Sequence, residues 1–154
     1  IAILCTFTGI PFALRRLISD TEKIDAAIVC GPVWGGRLIA PLRTAIRVLS
    51  GRAKRLYFAT CCGSHDEIKN ERYGYSQVFQ EAHEVAGADK PLRCAAFPIA
   101  LIVPDHQRSI PESIMNARLT DENYNGQIQK RVEQFIQSVV DENPDISRLP
   151  EPLT

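Results

Sequence analysis

The chain has no excess of charge of one sign and no long apolar run. Its 18 basic and 18 acidic residues cancel to a formal net charge of zero, and the two kinds are interleaved. This balance argues against nucleic-acid binding, which needs a basic patch or stripe. No stretch approaches the ~20 apolar residues that span a bilayer, and the first ten residues lack the charged lead-in of a secretory signal. We therefore expect a protein that binds neither nucleic acid nor membrane.

Metal-binding patterns of cysteine and histidine are also missing. The five cysteines show no C-x-x-C spacing, and the three histidines are not spaced as metal ligands with any acid or thiol. We expect no metal site. An odd number of cysteines without a secretion signal predicts reduced thiols and a cytoplasmic location. Cys5, Cys30 and Cys94 lie in apolar runs and are expected to be buried, whereas Cys61 and Cys62 follow a predicted strand and are expected to shape a loop.

The most informative stretch runs from Ile24 to Gly36. Its apolar start, without polar alternation, predicts a parallel strand that is buried on both faces. The strand ends in Gly31-Pro32-Val33-Trp34-Gly35-Gly36, and open α/β sheets bind ligands at such carboxyl ends. Glycines let a ligand approach the backbone, and Trp34 offers a flat face to a planar ring. The alternative is a plain turn with Trp34 packed in the core.

A helix and a second strand follow this loop. Apolar residues at helical spacing predict a helix over residues 38–49, which Ser50-Gly51 ends. Arg55–Thr60 predicts a second buried strand, and it leads into the small residues Cys61-Cys62-Gly63-Ser64. The pattern is therefore strand, Gly-rich loop, helix, strand and small-residue loop.

This order of elements resembles the flavodoxin-like family over roughly residues 24 to 103. The resemblance implies an α/β fold with a doubly wound parallel sheet in a three-layer sandwich. It would occupy residues 1–142, followed by a tail over residues 143–154. The residues that fit the family's two loops and the helix between them are Gly31, Pro32, Trp34, Gly35, Pro41, Arg43, Thr60, Gly63 and Ser64.

The same resemblance implies that the chain binds FMN. The expected function is electron transfer from a flavin to a small acceptor or a partner protein, with NAD(P)H or a redox protein as donor. No side chain needs to act as an acid or base, because the flavin carries the chemistry. Flavodoxins are strongly acidic and this chain is neutral, which disfavours a simple shuttle. A homodimer is left open, and the alternative function is a binding domain that has kept the fold and lost the flavin. The residues expected to hold the cofactor are Pro32, Val33, Trp34, Gly35 and Gly36 on the first loop and Thr60, Cys61, Cys62, Gly63 and Ser64 on the second.

The amino-terminal residues fit the family less well. Ile1–Cys5 predicts a strand, and Thr6-Phe7-Thr8-Gly9 matches the first part of a T-x-T-G-N-T phosphate loop, but Ile10-Pro11 replaces its last two residues. Pro11 also removes a backbone donor. Either Ile1–Cys5 is the first strand of the sheet, or it is the second strand and the phosphate loop lies upstream. The second account is the expectation.

The remaining elements complete the predicted fold. Ile68–Gly87 predicts a helix, preceded by a long polar segment in which Tyr73 either flanks a flavin or is a solvated loop residue. Leu92–Val103 predicts the last strand, and Pro98 inside it favours an edge position or a bulge. Asp121–Asp141 predicts an amphipathic helix with Thr120 as its N-cap.

Overall fold

The computed structural model describes residues 24–63 and 65–143. Four strands, four α-helices and two short 3₁₀ turns make up this part of the chain. In chain order they are strand β1 (Ile24–Trp34), strand β2 (Arg37–Leu38), helix α1 (Ala40–Ser50), strand β3 (Ala53–Cys62), helix α2 (Tyr75–Ala86), strand β4 (Leu92–Pro98), 3₁₀ turns at Ile99–Ile102 and Asp105–Gln107, helix α3 (Pro111–Asn116) and helix α4 (Gly126–Glu142).

The four strands form one mostly parallel sheet in the order β2-β1-β3-β4. Strand β1 runs parallel to β3, with Val29 opposite Phe58, and β3 runs parallel to β4, with Phe58 opposite Cys94. Only the short β2 is antiparallel, and it pairs with the last residues of β1. Because β1, β3 and β4 run in one direction, their carboxyl ends meet at one edge of the sheet. We call this the carboxyl edge.

One face of the sheet carries the main hydrophobic core. We call it the first face; Val29, Phe58 and Leu92 lie on it and are buried against α1 and α2. Residues at helical spacing on α1 supply the other side of this core, notably Leu42 and Ile46. The ring of Phe58 meets the ring of Phe79 from α2 edge to face, with centroids 6.2 Å apart.

The opposite face, which we call the second face, carries Ile28, Tyr57 and Phe97. Helix α4 covers part of it, because the ring of Phe135 packs against Tyr57 and Phe97 at centroid distances of 6.2 and 5.9 Å. The Tyr57 hydroxyl donates a hydrogen bond of 2.6 Å to Glu142 at the end of α4 and accepts one of 3.0 Å from Asn143. Helices therefore pack on both faces, which gives an α/β arrangement consistent with three layers.

The structure corrects the prediction that β1 is buried on both faces. Ile28 remains 48% exposed, and Cys30 on the same face is exposed rather than buried. An apolar run cannot distinguish a strand covered on two faces from a strand covered on one, since only the packing of distant helices decides this. Val29 on the first face is buried, as predicted.

The structure also corrects the ends of two predicted elements. Leu38, expected at the start of a helix, lies in β2, and Cys61 and Cys62, expected in a loop, are the last two residues of β3.

Three further predicted boundaries were wrong. Helix α2 begins at Tyr75 and not at Ile68, because residues 65–74 form a series of hydrogen-bonded turns. Strand β4 ends at Pro98, where the chain enters a 3₁₀ turn, so Ile99–Val103 does not extend it. The helix expected from Asp121 begins at Gly126 with Asn125 as its N-cap instead of Thr120. Among the described strands, β4 does lie at an edge of the sheet, as Pro98 indicated.

Several expectations fall on residues outside the described ranges. They concern the strand Ile1–Cys5, the partial phosphate loop ending at Pro11, the loop residue Ser64 and most of the tail over residues 143–154. In the two described ranges, no helix is both long enough and apolar enough to cross a membrane.

We expect substitutions on the two faces of the sheet to differ sharply in cost. Phe58→Ala should lower the free energy of unfolding by about 3–5 kcal/mol, because it opens a cavity in a fully buried site. Ile28→Ala, on the neighbouring strand, should cost less than about 1 kcal/mol, since half of that side chain is already in solvent. Urea denaturation measures both values. A loss of several kcal/mol for Ile28→Ala would show that the second face of β1 is buried in solution.

Candidate functional site

A tight hairpin holds the single tryptophan of the chain at the carboxyl edge. Trp34 pairs with Arg37 across a two-residue turn, in which Gly35 and Gly36 have φ angles of +56° and +70°. Positive φ at both central residues is typical of a type I′ turn, which glycine adopts without strain. Trp34 is 41% exposed. The structure therefore contradicts the alternative in which Trp34 packs in the core.

The carboxylate of Glu81, on α2, ties this hairpin to the helical layer. Its Oε2 accepts a hydrogen bond of 3.1 Å from the Leu38 backbone amide, and its Oε1 forms an ion pair with Arg37. Arg43, on α1, donates a hydrogen bond of 3.1 Å to the Leu38 carbonyl and lies 3.6 Å from Glu81. Glu81 thus joins the short strand β2 to both helices of the first face, which fixes the hairpin that carries Trp34.

The loop before α2 packs directly on the same hairpin. A Cβ atom added to Gly36 would lie 2.6 Å from the Arg72 carbonyl oxygen and 2.8 Å from the Tyr73 Cα. Such contacts are too close for any side chain, so only glycine allows the two loops to touch here. Tyr73 is 62% exposed, and the Arg72 guanidinium lies 5.5 Å from its ring centroid. Two exposed aromatic side chains are therefore carried by two loops in backbone contact.

A second carboxylate, Asp66, anchors this loop to the rest of the molecule. Its Oδ1 accepts a hydrogen bond of 2.7 Å from the Tyr75 hydroxyl, and its Oδ2 forms an ion pair with Arg131 on α4. Burial raises the pKa of Asp66, but the hydrogen bonds from Tyr75 and Arg131 outweigh it and leave that pKa below its ordinary value. Burial and the bond to Asp66 raise the pKa of Tyr75 to about 12. At neutral pH the network is thus a carboxylate, a phenol and a guanidinium.

The residues at the end of β3 divide between the interior and the carboxyl edge. Thr60 is buried, and its hydroxyl donates a hydrogen bond of 2.7 Å to the Gly31 carbonyl, so it joins β3 to β1. Cys62 is buried with Tyr75 and Ala96. Cys61 and Gly63 are exposed. Of the described residues predicted for this loop, the structure therefore leaves these two accessible at the edge.

The first predicted loop is more accessible. Pro32, Trp34 and Gly35 are exposed, Val33 is partly buried, and Gly36 is buried beneath Tyr73. The structure thus brings the first loop, the exposed end of β3 and Tyr73 to one edge of the sheet, because parallel strands share that edge. Sequence reasoning missed Glu81, Asp66 and Arg131. Each is an ordinary charged residue on a helix or in a loop, and no spacing in the sequence links it to its partners.

Comparison of the chain with protein-family models, curated proteins and solved structures gave no match. Within residues 24–63 and 65–143, no group of three or more His, Cys, Asp or Glu side chains is arranged to hold a metal ion. The geometry of the carboxyl edge is therefore the basis on which a function can be assigned.

We expect Glu81→Gln to loosen the Trp34 hairpin. Glutamine keeps an oxygen for the Leu38 amide but loses the charge that Arg37 and Arg43 face, which should cost about 1–3 kcal/mol. Because Trp34 is the chain's sole tryptophan, tryptophan fluorescence reports only on the surroundings of this residue. Acrylamide should quench it more strongly than in the wild type. Glu84→Gln, on the exposed side of the same helix, is the control and should leave quenching unchanged; equal quenching in all three proteins would contradict the role of Glu81.

We expect Asp66→Asn to destabilise the protein by about 1 kcal/mol at neutral pH, because it removes the charge that Arg131 faces. Since folding lowers the pKa of Asp66, its stabilisation is present above the unfolded pKa of about 3.9 and is lost as the pH falls through the folded value. The difference between the wild type and the variant should therefore be largest above about pH 5 and shrink below about pH 4. Urea denaturation at several pH values measures it. Asp89→Asn, an exposed carboxylate after α2, is the control; a pH-independent difference for Asp66→Asn would contradict the assignment.

Proposed function

We propose that this chain is an FMN-binding, flavodoxin-like redox protein that transfers electrons to a small acceptor or a partner protein. The observation that carries the proposal is the pair of exposed aromatic residues, Trp34 and Tyr73, on two contacting loops at the carboxyl edge. Nothing in this assignment requires a catalytic acid or base from the protein.

The accessibility of the two rings supports a planar ligand. An exposed tryptophan loses contact with water when a flat ring stacks on it, and stacking of this kind contributes about 1–3 kcal/mol. Trp34 and Tyr73 are 41% and 62% exposed, although the hairpin and the loop that carry them are in close backbone contact. The ion pairs of Glu81 and Asp66 hold their loops in place, so little order would have to be gained on binding.

The topology of the sheet supports the same edge. From β1, each later parallel strand is added on the same side, in the order β1-β3-β4. In a doubly wound sheet the other half would begin at the opposite side of β1, where residues 24–32 pair with no other described strand. The order of strands would then reverse beside β1. Ligands bind at such reversal points, outside the carboxyl ends of the strands, and Trp34 lies at this end of β1.

The residues at the edge have the chemistry that binding of a flavin ring would use. Trp34 and Tyr73 would flank it, while the exposed backbone around Gly35 and Gly63 would approach its polar edge. When bound, FMN would supply the electron-transfer chemistry. The protein's part would be to orient the ring, shield its faces from water and leave its outer edge open to the acceptor.

Trp34→Ala should weaken FMN binding by about 1–3 kcal/mol, or roughly 5- to 150-fold in Kd, because it removes the stacking surface. Trp34→Phe keeps a flat ring and should lose less than about tenfold. Quenching of FMN fluorescence on titration measures both values. If the wild type binds FMN and Trp34→Ala binds it equally well with an intact fold, Trp34 is not part of the site.

An absorbance spectrum before and after addition of FMN tests the assignment as a whole. Flavin bands that stay with the protein through gel filtration would support it. A protein that remains colourless and leaves FMN fluorescence unchanged would overturn it in favour of a flavodoxin-like binding domain that has lost the cofactor.

A further inference from the structure

Two cysteines lie next to each other on the second face of the sheet. Strands β1 and β3 pair in parallel with Cys30 opposite Ala59 and Pro32 opposite Cys61. Because side chains alternate along a strand, Cys30 and Cys61 point to the same face, as diagonal neighbours on adjacent strands. Both are exposed, and so is Ile28 beside them. Cys62, the residue after Cys61, points to the first face and is buried.

The register separates this pair by more than a disulfide allows. Strands lie about 4.8 Å apart and advance about 3.3 Å per residue, so a two-residue diagonal places the Cα atoms roughly 8 Å apart. Cysteines more than about 7 Å apart cannot be bridged without movement of the backbone. In a linear two-coordinate complex, two metal–thiolate bonds of about 2.3 Å each, the length found for zinc, would instead hold the sulfur atoms about 4.6 Å apart. A sulfur–metal–sulfur bridge is longer than a disulfide, so the Cys30 and Cys61 side chains could form it by turning toward each other.

We propose that Cys30 and Cys61 form a two-thiol binding site for a soft monovalent cation of the Cu(I) class. Thiolates select soft ions, and Cu(I) accepts two sulfur ligands without requiring others. Binding displaces the two thiol protons into solvent and changes no oxidation state. The inference does not rest on the proposed flavin site, although Cys61 borders both sites.

The ligand form of cysteine is the thiolate, so each sulfur must lose its proton to bind the cation. Binding should therefore become tighter as the pH rises.

The test is Cu(I) binding by the purified full chain, without flavin and in the absence of oxygen, in competition with a coloured Cu(I) chelator. Cys30→Ser and Cys61→Ser should each weaken Cu(I) binding by more than about hundredfold, since even outer partners of a metal ligand contribute 10- to 100-fold. Cys94→Ser is the matched control, because Cys94 lies on the first face and burial raises its pKa to about 12. It should bind Cu(I) as the wild type does.

A second measurement tests the proximity of the thiols without a metal. Phenylarsine oxide condenses with two thiols, forming two arsenic–sulfur bonds and releasing one water. Native mass spectrometry should show this adduct in the wild type and in Cys94→Ser, and lose it in both Cys30→Ser and Cys61→Ser. The proposal is overturned if either of these two variants keeps wild-type Cu(I) affinity, or if the arsenical adduct survives in either of them.

Discussion

The parallel pairing of β1 with β3 determines both the packing of the core and the position of the carboxyl edge. It places Val29 beside Phe58 in the core and lets the Thr60 hydroxyl reach the Gly31 carbonyl at 2.7 Å. The same register brings the ends of both strands to one edge. A shift of one residue along either strand would turn every side chain of that strand to the other face. It would expose Phe58, and it would separate the groups at the carboxyl edge.

Two carboxylates attach the loops at this edge to the helices and so fix the positions of the loops. Glu81 reaches from α2 to the hairpin, and Asp66 reaches from the loop to α4. Both are partly buried, and each faces a guanidinium that also contacts a backbone carbonyl. Charge-assisted hydrogen bonds of this kind are stronger and more directional than neutral ones. Solvent-exposed ion pairs contribute less, so they would leave the loops that carry the aromatic residues more mobile. Binding of a ligand would then cost more conformational entropy.

The sequence predicted most strands and helices correctly, but it did not predict which of their residues are buried by distant parts of the chain. The strand from Ile24, the strand through Phe58 and the helix ending at Ser50 were confirmed, because apolar runs and Gly stops act through neighbouring residues. The start of α2 was wrong, since the tertiary packing of residues 65–74 outweighs their helical pattern. The exposure of Ile28 was also missed, because it depends on which helices cover the second face.

In the candidate site, too, features formed by neighbouring residues could be predicted, and contacts between distant residues could not. Trp34, Gly35 and Gly36 could be singled out because glycines next to an aromatic residue form a pattern within a few residues, although the hairpin that they form was not predicted. The binding roles predicted for these residues remain predictions. The groups that position Trp34 could not be found, because Glu81 lies far along the chain and meets Leu38 only after α2 has packed.

The second face of β1 gives the clearest argument that this part of the molecule serves a purpose other than stability. Eleven residues of largely apolar strand expose Ile28 and Cys30, although burying an aliphatic side chain contributes about 1.5–3 kcal/mol. Serine or threonine at position 30 would suit a solvent-exposed strand better than a thiol that can oxidise. An exposed cysteine beside a second exposed cysteine makes chemical sense where sulfur is needed as a ligand. Neither the net charge nor the packing of the core requires cysteine instead of serine at these two exposed positions. A binding site for a soft metal ion would require it.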